Sequence, residues 1–123
     1  MKINFKELFI VGLVLTVVDF GYLTLSKNHF SKLIKNIQKS ELELDYVAVA
    51  FCYITLVFGI YYFIIRNRES PLNAALLGFV IYMVYDTTNK AVFKNWDWTT
   101  VLMDGTWGGI LFGLTTYITY KII

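Results

Sequence analysis

Residues 101–119 read V-L-M-D-G-T-W-G-G-I-L-F-G-L-T-T-Y-I-T. The stretch is as long and as apolar as a bilayer crossing requires, which is roughly 20 residues. It nonetheless carries a carboxylate, Asp104, and three glycines spaced four apart, Gly105, Gly109 and Gly113. A charge inside such a segment is costly and normally faces protein or water. Glycines at this spacing let a second helix approach closely. The stretch therefore predicts an all-α fold: an integral membrane four-helix bundle with a polar site inside it.

Composition agrees. The chain has 123 residues, enough for one domain, and 57% of them are hydrophobic. Its mean hydropathy is +0.57. A soluble fold this small cannot hide that much apolar surface, whereas a bilayer supplies an apolar solvent. The formal charge of +2 is too weak to argue for nucleic acid, and no basic stripe with interleaved aromatics is present. The single cysteine, Cys52, lies in an apolar run and reads as a small buried residue. Residues Met1 to Glu7 carry two lysines and precede an apolar run, as a signal peptide would. The run ends in Asp19-Phe20-Gly21-Tyr22 with no small-residue cleavage site, so a retained transmembrane helix is expected.

The chain divides into four spans, at about 8–25, 46–65, 72–93 and 101–119, in a single transmembrane domain over 1–123. Between the first two, Phe30, Leu33, Ile34 and Ile37 share one helical face, with Lys32, Lys35 and Lys39 on the rest. That pattern predicts a short interfacial amphipathic helix over 28–39. His29 at its start has no metal-ligand partner in the sequence and reads as a solvated or lipid-facing residue. Ser40 and Glu43 have capping-box spacing ahead of span two. Ser70-Pro71 opens span three, and Asp97 or Thr100 caps span four. Trp96 and Trp98 suit the aromatic belt, and Tyr53, Tyr61 and Tyr62 suit core and belt. Four spans put both termini on the same side of a multi-pass membrane protein. Which side is left open, because five basic residues fall on one face and six on the other.

Three acids form the informative set. Because the spans alternate in direction, Asp19, Asp86 and Asp104 fall at one depth, roughly 6 to 9 Å below one surface. Their neighbours in sequence complete a candidate polar site: Tyr22 three residues after Asp19, Asn89 and Lys90 just after Asp86, and Trp107 three after Asp104. Tyr85 precedes Asp86 directly. Lys90 reads as a snorkelling residue or as a partner for Asp86. Like charges in a medium of low dielectric predict that at least one of the three acids is protonated at neutral pH. The glycines read as helix packing, with a homo-oligomer through the glycine ridge as a further expectation.

The motifs D-F-G-Y (19–22), Y-D-T-T-N (85–89) and D-G-T-W-G (104–108) together resemble a family of small membrane proteins, domain of unknown function 2177. The resemblance covers almost the whole chain. It implies a four-helix inner-membrane protein of bacterial type, and it brings no established activity, cofactor or partner. Genes of fatty-acid modification beside some members hint at lipid chemistry. Gly21 and Tyr22 depart from the family pattern, which has a tryptophan there in many relatives.

Three functions compete. The first is binding or transport of a proton, cation or small polar ligand by the acid layer. The second is a membrane-embedded enzyme of lipid or isoprenoid modification, with the acids as general acid and base or as ligands to a hard cation. No nucleophile or phosphate loop is visible for it, and no cofactor is assigned. The third is a structural or accessory protein whose only certain partner is the lipid bilayer. An axial funnel would favour the first, a lateral opening at the acids the second, and a dry, satisfied layer the third.

Overall fold

The computed structural model describes residues 2–123; Met1, the start of the stretch compared above with a signal peptide, lies outside them. The chain folds as helix α1 (Phe5–Gln38), helix α2 (Tyr46–Ile60) continued by a π-helical turn (Tyr61–Ile65), helix α3 (Pro71–Val92) and helix α4 (Trp98–Ile122). The described residues contain no strand. Two helices, Phe5–Gln38 and Tyr46–Ile65, are long and apolar enough to cross a membrane. In α3 and α4, acids, threonines, asparagines and glycines lower the hydropathy.

Caps set the helix starts. Asn4 caps α1 through Glu7 N–H, Ser70 caps α3 through Asn73 N–H with Pro71 in the first turn, and Asp97 caps α4 through Thr100 N–H. Helix α2 corrects the capping-box expectation: its cap is Asp45, which accepts from the amides of Val47 and Ala48, rather than Ser40.

The segment 28–39 is another difference. It forms the last turns of a continuous α1 rather than a separate helix. Between Phe5 and Gln38 there is no proline, and the change from apolar to polar residues at Ser26 does not by itself end a helix. Its apolar face is turned inward: Phe30, Leu33, Ile34 and Ile37 pack with Trp96, Val101 and Met83. Lys39, in the left-handed region at φ 61°, ends the helix.

A larger core cluster joins Val11 and Leu15 of α1 to Ile60, Tyr61, Ile64 and Ile65, to Ala74 of α3 and to Leu111 and Phe112 of α4. The π turn, closed by Arg66 N–H on Tyr61 C=O (2.8 Å), turns three of its side chains, Tyr61, Ile64 and Ile65, into the core. Elsewhere the apolar residues face outward: Phe9, Leu13, Val17, Phe51, Ile54, Leu76, Val80, Val84 and Ile110 are among the exposed ones. Cys52 is also exposed, so the expectation of a buried thiol is corrected.

Helices α3 and α4 meet backbone to backbone. A Cβ added to Gly108 would stand 2.6 Å from the Gly78 carbonyl oxygen, and one added to Gly78 would run into the Gly108 carbonyl and the Phe112 ring. Gly105 faces Met83, while Gly109 and Gly113 face Ala75, so the ridge is covered by α3 of the same chain.

Candidate functional site

The acids lie between the two apolar clusters. On α1, Asp19 stands between Leu15 and Leu33; on α4, Asp104 stands between Val101 and Leu111. The side chains of Asp19, Asp86 and Asp104 are buried, at 5%, 0% and 6% exposure. Tyr22 has all three within its electrostatic surroundings.

Their bonding is crossed between helices. Tyr22 of α1 donates to Asp104 of α4 (2.9 Å), while Trp107 of α4 donates through Nε1 to Asp19 of α1 (2.9 Å). The two rings stack between these bonds, with centroids 4.7 Å apart and planes 5° from parallel. Each aromatic therefore serves the acid of the other helix, and not the acid three residues before it. The reason is reach. A phenol hydroxyl or indole N–H sits at the far end of a long rigid group aimed off its own helix. Facing helices pack at about 8–10 Å, which that length bridges, whereas a short aspartate one turn away cannot fold back to it.

Asp19 accepts a second bond, from the Tyr53 hydroxyl of α2. Tyr53 was expected as core or belt, and it is the member of the candidate site that sequence reasoning missed. A signal existed. Tyr53 lies seven residues past the start of its helix, about 11 Å along at 1.5 Å per residue. Asp19 lies six residues, about 9 Å, before the end of the first span expected from sequence, at about residue 25. The depth argument applied to the acids would have found it had it been extended to tyrosines.

Asp86 differs from both. It is fully buried, and neither of its carboxyl oxygens has a hydrogen-bond partner. The Asp104 carboxyl and the Trp96 indole lie beside it, and Trp96 Nε1 is itself buried and makes no well-aligned bond. Lys90 does not pair with it. The Lys90 ammonium lies 6.0 Å from the centre of the Trp98 ring. Asn89 gives its carbonyl to Phe93 N–H (2.7 Å), and its side chain makes no bond to Asp86. Tyr85 is exposed at the margin, its ring edge-on to Trp96. The structure thus brings together Asp19, Tyr22, Asp86, Asp104 and Trp107, adds Tyr53, and leaves Tyr85, Asn89 and Lys90 outside.

His29 is corrected as well. Its Nε2 lies 2.7 Å from Thr100 Oγ1, and Thr100 donates that hydroxyl proton to Asp97 (2.7 Å). The threonine oxygen then accepts from histidine, which places a proton on Nε2. The Asp97 carboxyl is held below the usual carboxylate range, first by the Thr100 hydroxyl and then by its amide.

Among the described residues, no group of three or more His, Cys, Asp or Glu is arranged to hold a metal ion. A cavity of about 530 Å3 opens sideways between α1 and α2, walled by Leu8, Gly12, Leu13, Ile54 and Val57 and reaching Tyr53. It is an apolar groove whose polar end is the tyrosine bonded to Asp19.

No curated protein and no solved structure matches the chain. A family described as predicted membrane proteins, DUF2177, matches residues 4–121. This chain, with its crossed aspartate–aromatic pairs and an apolar exterior, belongs to that family of membrane proteins of unknown function.

Proposed function

We propose that this is a four-span membrane protein whose buried aspartates bind a proton, with both termini on the same side. The observation that carries the reading is Asp86, a fully buried carboxyl with two unpartnered oxygens beside a second carboxyl, Asp104. Two such groups in a site of low dielectric do not both ionise without a counter-ion. Lys90, the nearest cation in sequence, lies over Trp98 instead. One proton held by the pair removes the conflict. The absence of a three-ligand cluster among the described residues favours a proton over a metal cation. Outward-facing apolar residues on all four helices, with acids and threonines inside, support four crossings. Helices α3 and α4 have about 22 and 25 residues, or about 33 and 37 Å of length.

The test is infrared spectroscopy of the reconstituted protein in the protonated-carboxyl region at neutral pH. The expected result is a carboxylic-acid band that disappears in Asp86→Asn. A wild-type spectrum without such a band would overturn the reading. Tags on the two termini, probed in sealed vesicles, should become accessible together.

A second reading rests on the lateral groove, which suits a lipid-like chain entering from the bilayer toward Tyr53 and Asp19. It would make the chain a lipid-binding protein or a lipid-modifying enzyme. Native mass spectrometry tests it: Gly12→Phe, placed in the groove wall, should reduce retained lipid, and unchanged retention would exclude the groove as the binding place.

A further inference from the structure

The opposite end of the α1–α2 seam holds a second cavity, of about 510 Å3, with a different lining. Lys2, Asn4, Glu7, Tyr61, Arg66 and Arg68 face it. We propose that this cavity binds a phosphate group, either that of an anionic lipid headgroup or free phosphate.

The charges do not cancel. Arg68 is committed to Glu7 through a two-bond fork (2.8 and 2.7 Å) and also donates to the Ile65 carbonyl (2.7 Å). That pair is internally neutral. Lys2 and Arg66 remain, and among the described residues neither has a carboxylate partner. The Arg66 guanidinium is held over the Tyr62 ring, 4.0 Å from its centre, which fixes its position. Its Nε is buried and makes no hydrogen bond. A buried charged donor without an acceptor is costly to leave unpaired. A planar guanidinium fork matches phosphate oxygens in geometry and charge.

Two further donors point the same way. Tyr61 is 2% exposed, and its hydroxyl oxygen accepts from Asn4 N–H (2.8 Å). The hydroxyl proton has no acceptor of its own among the described residues and borders the cavity. The N-terminus of α1 also opens here, with Asn4 as its cap, so the helix dipole favours an anion. An arginine, a lysine, a tyrosine hydroxyl and a helix N-terminus thus converge, with the one carboxylate nearby already neutralised. The site is remote from the aspartates, so this inference stands or falls independently of the proton reading.

The experiment uses the full chain in nanodiscs. One arm compares discs of phosphatidylcholine with discs containing phosphatidylglycerol, reading retained lipid by native mass spectrometry. The other titrates inorganic phosphate into phosphatidylcholine discs by calorimetry. Preferential retention of phosphatidylglycerol that Arg66→Gln lowers about tenfold identifies a headgroup site. Phosphate binding in the second arm, lost to the same degree in Arg66→Gln, identifies free phosphate. Lys121→Gln removes one charge elsewhere on the chain and should leave both readings unchanged. If Arg66→Gln does not fold, Lys2→Gln, on an exposed residue outside the helices, should weaken binding in the same arm. No binding in either arm overturns the proposal, and so does equal loss in Arg66→Gln and Lys121→Gln.

Discussion

Where α3 meets α4 the backbones touch, and where α1 meets α2 side chains hold them apart. The first interface is built on glycine. Gly78 and Gly108 bring carbonyl oxygens to within the space a methyl group would fill, and Tyr82 and Phe112 close over them. The second interface leaves an apolar groove of about 530 Å3. One side-chain bond, Tyr53 to Asp19, fastens it in the middle, and Glu7 with Arg68 ties its end to the residues after the π turn. The contrast bears on function. The tight pair carries Asp86 and Asp104 and leaves Asp86 without a partner. The loose pair carries the opening to the exterior. A rigid half can hold two acids in an unfavourable arrangement, because close-packed helices cannot relax to solvate them.

The largest test of that contrast is a glycine swap. Gly78→Leu should destabilise the protein by about 3 kcal/mol, through overpacking against the Gly108 backbone. Gly59→Ala, with nothing within 4 Å of the new methyl, should be neutral or gain up to about 1 kcal/mol of helix propensity. Thermal unfolding followed by circular dichroism separates them, and equal effects would mean that the α3–α4 contact at Gly78 has room for a side chain.

The acids give a test of intermediate size. Asp19→Asn places an amide between two donors and should cost about 1–3 kcal/mol. Asp86→Asn removes one of two adjacent buried carboxyls and leaves an amide donor toward Asp104, so its stability should stay level or rise. A larger loss at Asp86 than at Asp19 would show that Asp86 has a partner in the membrane. Tyr53→Phe removes one bond across the seam and should cost about 1 kcal/mol.

The smallest effect is at the seam's charged end. The Arg68 guanidinium holds the Glu7 carboxyl below its usual range by hydrogen bonding, and partial burial opposes it. A depressed carboxyl stabilises the fold above the ordinary carboxylate range. That contribution is lost as pH falls through the lowered value. With Arg68 more than half exposed, it should reach at most about 1 kcal/mol. Unfolding measured from pH 6 down to pH 3 should show this component in wild type and lack it in Glu7→Gln.

Much of the bundle was readable from local rules. Ser70-Pro71 and Asp97 start helices as capping chemistry requires. The 104–113 glycines lie on the face that meets α3. Where the reading went astray, the outcome depended on what packed against the residue. Segment 28–39 has the pattern of an interfacial helix, and amphipathicity alone does not say whether its apolar face meets lipid or protein. Here Trp96, Val101 and Met83 cover it. His29 had no partner nearby in sequence, and Thr100, 71 residues on, supplies one.

The stretch 101–119 determined by itself a helix, a costly acid and a smooth face for a neighbour, because these follow from side-chain chemistry and a period of about 3.6 residues. Tertiary structure decided the rest. It gave Asp104 the tyrosine of another helix, sent Trp107 to Asp19, and left Asp86 beside Asp104 without an aromatic donor of its own. The physical reason is distance. Neighbours in sequence share a helix face, but a short carboxylate is served by long aromatic donors reaching across the gap between helices. Which helix stands opposite is settled by how closely the glycines let the backbones come.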